Sequence, residues 1–196
     1  MSRKICLISL FIAGLPLLLS CSTSFTRYSG DMFQGKRLYR DSDYVTARSS
    51  FLRASQEERT SDALAWAATA SYKMNDLATA ERLIAEAQSI DSNSLSSLRI
   101  RGFKALILLS EGRGREGMEG LREYLALYRG LDPLMSISEV ERLASTGTVN
   151  PGGAEIAILE RAINEQVEQY ESDVEQFNET GTGYYGQKWE SQFGGL

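Results

Sequence analysis

No histidine occurs anywhere in the 196 residues. That excludes triads and general bases built on imidazole, and the usual zinc sites with them. Cysteine occurs only at Cys6 and Cys21, so residues 22–196 carry no thiol and no disulfide. Their fold must rest on packing alone. Any catalysis would fall to carboxylates, lysine or serine. The chain is acidic overall, with a formal net charge of −5. No basic stretch is interleaved with aromatic residues, so nucleic acid is not an expected partner. The composition implies neither a metal nor a cofactor.

What is present begins with the first 21 residues. Arg3 and Lys4 precede an apolar run, Ile5 to Leu19, broken only by Ser9, Gly14 and Pro16. Leu18-Leu19-Ser20-Cys21 follows as a small-residue cleavage site. The run is shorter than the ~20 residues a membrane span needs. The tetrapeptide resembles the lipobox of bacterial lipoproteins. That resemblance implies that residues 1–20 are a signal peptide, removed on maturation, and that Cys21 is acylated and becomes the new N-terminus. More than one acyl chain makes such anchoring stable, at about 0.8 kcal/mol per buried methylene. An Asp after the cysteine would retain a lipoprotein of this kind in the inner membrane. Here Ser22 stands there, which implies the outer membrane, periplasmic face. Residues 21–30 then read as a short lipidated tether.

A repeat follows. Tyr44, Ala47, Phe51 and Ala54 recur 33 positions on as Leu77, Ala80, Ile84 and Ala87, and Asp43 and Thr46 recur as Asp76 and Thr79. Alanine at the tight position lets two antiparallel helices approach while the large residues fill the next groove. Asp43 and Asp76 stand where a helix N-cap is wanted. The pattern resembles the second helix of a tetratricopeptide (TPR) repeat, whose period is ~34 residues. First helices are expected over 31–40, with Gly35 and Leu38 at family positions, and over 61–74, with Ala67, Ala68 and Tyr72. A third, less regular unit is expected over 95–110 and 115–128. There Gly117, Leu121 and Tyr124 take the places of Ala80, Ile84 and Ala87. Asp91-Ser92-Asn93 ends the second unit where a proline often stands. The TPR-like domain is placed at 31–130.

Beyond Asp132-Pro133 the pattern changes. Ser136-x-x-Glu139 and Ser138-x-x-Glu141 are candidate capping boxes for a short helix ending at Ala144. Pro151 suits the first turn of a long helix over 152–178. Ile156, Leu159, Ile163, Val167, Tyr170, Val174 and Phe177 form one apolar stripe along it. Residues 151–179 hold eight acidic residues and one basic one, Arg161. The third unit is locally basic, so a helix with acidic flanks is suited to dock there. The stripe predicts either a cap on the repeat stack or a self-associating coiled coil, since 156, 163, 170 and 177 are a heptad apart. The domain 131–179 thus reads as C-terminal helices, and 180–196 as a Gly/aromatic tail that docks its rings on the body or stays loose.

Gly112-x-Gly114-x-x-Gly117 matches a dinucleotide-binding fingerprint by letters. No second strand follows with an acidic residue ~20 positions on, so no dinucleotide is expected. Glu165 and Glu168 belong to an amphipathic helix face rather than a catalytic pair. The expected fold is all-α: two to three TPR-like hairpins, a short helix, and a long C-terminal capping helix. The resemblance implies a binding module and not an enzyme: a lipid-anchored periplasmic scaffold or adaptor, of the general type found in envelope assemblies. Its groove would take a peptide or helix of a protein partner on the first helices of the repeats. The candidate contact residues are Lys36, Arg37, Arg40, Trp66, Thr69, Lys73, Arg99, Arg101 and Lys104. The alternative is a lipoprotein that holds a small molecule for an uptake system. An enclosed, mostly apolar cavity would favour that alternative, and an open groove the adaptor.

Overall fold

The computed structural model describes residues 24–90 and 95–187. Among them there is no strand: the fold is all-α. The helices are α1 (24–40), α2 (Tyr44–Glu57), α3 (Ser61–Lys73), α4 (Leu77–Ile90), α5 (Ser97–Ser110), α6 (Gly114–Gly130), α7 (Ser138–Thr146) and α8 (Ala154–Thr180), with one further helical turn at 184–187. Consecutive helices pack as adjacent hairpins, and α8 then lies back across α5.

The three hairpins share one turn. Ser42, Asn75 and Gly112 all adopt positive φ, at 63°, 58° and 79°. In each turn that residue donates to the carbonyl three back, and the next residue to the carbonyl five back. The pairs are Ser42 to Tyr39 and Asp43 to Leu38, then Asn75 to Tyr72 and Asp76 to Ser71, then Gly112 to Leu109 and Arg113 to Leu108. This is the Schellman arrangement, which satisfies the last carbonyls of one helix while the chain reverses. Asp43 and Asp76 then cap the next helix, each accepting from the backbone N–H three residues on, Thr46 at 3.2 Å and Thr79 at 3.4 Å. In the third turn glycine takes the left-handed position at least cost.

Small residues sit at the helix crossings. Ala47, Ala54, Ala80 and Ala87 are fully buried. Gly117 is in the tight position of the third hairpin, and a Cβ there would lie 2.9 Å from the Leu109 backbone nitrogen. The irregular letters of that unit therefore reflect a closer helix contact. Ala80→Leu should overpack the α3–α4 crossing and cost about 1–3 kcal/mol. Chemical denaturation checks this, and a parental midpoint would show the crossing to be elsewhere.

Several boundaries differ from expectation. Residues 24–30 are helical, not an extended tether, because α1 is fastened along its first turns. Ser24 donates to the Glu57 carbonyl, and Tyr28 meets Thr60 at 3.1 Å. Neither capping box forms: α7 is preceded by Ile137 with no side-chain cap, and Ser136 Oγ accepts from Ser138 instead. Pro151 lies in the turn before α8, whose N-cap is Gly153. In the tail, Tyr185 is buried, with its ring 5.4 Å from that of Tyr170. Its backbone N–H donates to Asp173 at 2.6 Å. That end of the chain thus docks on the body as far as 187. Trp189 and Phe193 lie outside the described residues, as does Cys21.

Candidate functional site

Helices α1, α3 and α5 form the inner layer of the stack, and α8 runs along it. At 1.5 Å per residue its 27 residues span about 40 Å. Ile156, Leu159, Ile163, Val167, Tyr170 and Val174 are buried within the one chain, and Phe177 is half-buried. The stripe is therefore consumed by the body and leaves no apolar seam for a coiled coil. Close approach depends on Gly102 of α5, where a Cβ would lie 2.5 Å from Ile163 Cγ2. Beside it, Tyr124 donates to Gln166 at 2.6 Å, and Gln166 donates on to the Ser136 carbonyl at 2.9 Å.

Charge fixes the same helix on one edge. Glu160, Glu171 and Glu175, at spacings of 11 and 4, share an edge next to the stripe. Each meets a cation of a different inner helix: Lys73 of α3, Arg99 of α5 and Lys36 of α1, respectively. The Arg99–Glu171 pair is the one of consequence. Arg99 is fully buried, and its Nε and Nη2 donate to the two Glu171 oxygens at 2.9 and 2.8 Å. Its guanidinium carbon lies 3.5 Å from the Trp66 ring centroid, a desolvated cation–π contact. Burial alone would lower the Arg99 pKa, but the charge and hydrogen bonds of Glu171 outweigh it and hold the guanidinium ionised.

The structure places the expected contact residues in different surroundings. Lys36, Lys73 and Arg99 do line the groove, but the chain's own α8 already engages them. Trp66 is core: its ring stacks on Phe51 at 5.4 Å and meets Tyr39 edge-on. Thr69 is buried and donates to the Ala65 carbonyl. Arg101 lies two positions from Arg99, about 200° round α5, so it points away from α8. Lys104 belongs to a second cleft of about 290 Å3 between α4, α5 and α6, with Glu81, Arg113 and Glu116. Arg37 and Arg40 are exposed on α1, and Arg40 borders the space left beside α8.

Asp62, at the start of α3, was not singled out in the sequence. Burial, then the negative charge of Glu171, push its pKa up to about 6, against the pull of Lys36 and Arg99. Glu175 adds to the upward push. The folded state thus binds a proton that the unfolded chain, with an ordinary Asp, releases. Stability from this group is present below about pH 4 and is lost as pH rises through about 6. Asp62 is partly exposed. Screening keeps the effect on the order of 1 kcal/mol, or about 2–4 °C in melting temperature. Between pH 7 and pH 5 the parent should gain that much relative to Asp62→Asn, as read by thermal melts at both pH values. Equal pH dependence in the two proteins would refute the assignment.

Among the described residues no three His, Cys, Asp or Glu side chains are grouped to hold a metal ion. No described helix is long and apolar enough to cross a membrane. No family model matches the chain, and no curated protein matches it in sequence.

Proposed function

We propose that the chain is a lipid-anchored periplasmic adaptor that holds a protein partner close to a membrane surface. The observation that carries this reading is the hairpin stack with an open cleft beside α8. Consecutive units joined by one repeated turn build an extended inner surface, which is how TPR-like stacks present a partner-binding face. α8 covers the α3 and α5 part of that face and, beside its Glu175–Lys36 contact with α1, leaves an open cleft. The cleft between α4, α5 and α6 and the one beside α8 open to solvent and are lined by charged residues. This favours the adaptor over a small-molecule carrier, which needs an enclosed and mostly apolar cavity. With residue 24 already helical, only two residues separate the body from Cys21. An acyl anchor there would hold α1 against the bilayer surface.

The anchor is tested by Cys21→Ala. The variant should leave the membrane fraction or accumulate as unprocessed precursor, as seen by fractionation. Intact-mass measurement of the wild-type protein should show acyl chains on a mature N-terminus at Cys21. A mature protein with an unmodified N-terminus would end the lipoprotein reading.

A further inference from the structure

We propose that the cleft between α1 and α8 is a docking site for a basic amphipathic segment of a partner protein. The proposal rests on the adaptor reading and gives it a place and a partner chemistry. α8 leaves a cleft of about 710 Å3 on the α1 side of the inner layer. Trp66 forms its floor, Phe33 and Arg40 stand on the α1 wall, and α8 supplies the other wall.

Two features set the occupant. The first is apolar. Phe33 is 68 % exposed at the cleft, and Phe25, two turns earlier, is 65 % exposed. Residues 25, 29, 33, 36 and 40 follow one another at spacings of 4, 4, 3 and 4. They therefore share the edge of α1 that Lys36 turns toward α8. A large exposed ring at a groove edge, with a second one two turns away on the same helix face, is the kind of anchor that a partner covers. In the same cleft lining as Phe33, Trp66 has a buried indole N–H with no acceptor.

The second is charge. Glu171 and Glu175 are neutralised by Arg99 and Lys36. Glu165, Glu168 and Glu179 also line the cleft and have no ion-pair partner among the described residues, with Arg40 the unpaired cation facing them. The open cleft is thus net negative along its α8 wall. A segment with apolar side chains at three- and four-residue spacing for the exposed Phe33, and Lys or Arg for α8, is complementary to it. An anionic lipid surface is not, because the α8 carboxylates would repel it.

The test places a photo-crosslinking benzoylphenylalanine at Phe33 in the full-length protein, in its own cells, and sequences the adducts by mass spectrometry. The expected adduct is a protein segment of net positive charge with apolar residues three and four apart. Glu165→Lys with Glu168→Lys should reduce its yield at least tenfold at unchanged melting temperature. In isolated membranes the yield should also fall as salt is raised, a readout that does not depend on the double variant folding. An adduct with lipid only, an acidic segment, or a yield indifferent to both charge reversal and salt would overturn the proposal. A probe at the exposed Val45 of α2 separates the two levels. Adducts at Val45 with none at Phe33 would overturn this cleft and leave the adaptor reading standing. Protein adducts at neither position would overturn both.

Discussion

Removal of residues 151–196 should abolish cooperative unfolding and drive the remaining helices into aggregates. Six apolar side chains of α8, from Ile156 to Val174, are buried against the body. Fully burying one such side chain contributes about 1.5–3 kcal/mol. The gross loss is on the order of 10 kcal/mol, comparable to the whole net stability of a typical domain. Truncation also uncovers Gly102, where the inner layer was shaped to receive Ile163, and leaves Arg99 without its carboxylate. A helical stack with an open apolar face is insoluble unless capped. Melting by circular dichroism and sedimentation of the truncated protein check this. A soluble monomer with a sharp transition would show that α8 is dispensable to the fold.

Arg99→Met should cost about 3–5 kcal/mol, the range for breaking a buried ion pair by removing one partner. The loss comes mainly from Glu171, which stays buried with its charge unpaired. The cation over Trp66 is lost as well. Arg99→Lys should not rescue it, since one ammonium cannot reproduce the two parallel bonds to Glu171. Lys36→Met and Lys73→Met should each cost less, on the order of 1 kcal/mol, because their pairs lie at the partly exposed rim of the groove and not in its floor. Urea denaturation of the four variants gives the comparison. A loss at Arg99 no larger than at the two lysines would contradict the buried pair.

These magnitudes follow from features that were unequally legible in the sequence. The hairpin turns were open to reading because local chemistry decides them. Asp43 and Asp76 are N-caps set by the chain within three residues, and Gly112 is a turn glycine whatever surrounds it. The apolar stripe of α8 was legible for the same reason. Arg99 was not, because its type points to a surface and only its register points inward. It stands in line with Gly102, Phe103 and Leu106, all buried on α5. Its counterion lies 72 positions away, so no local pattern joins the two. A partial signal was available in α8: Glu160, Glu171 and Glu175 share one edge and so could meet cations together. The start of α1 was obscured differently. Ser22 to Gly30 is rich in Ser and Thr and has little helix preference of its own, and it is Tyr28 reaching Thr60 and Ser24 reaching the Glu57 carbonyl that bring those turns onto the body.

The docking of α8 into the inner groove is the central claim, and a double-mutant cycle on Arg99 and Glu171 tests it most directly. Arg99→Met and Glu171→Leu should each lose about 3–5 kcal/mol, while the double variant, which removes both buried charges, should lie within about 1 kcal/mol of the parent. The coupling energy is then several kcal/mol. Losses that simply add in the double variant would mean that the two side chains do not meet, and that α8 lies elsewhere.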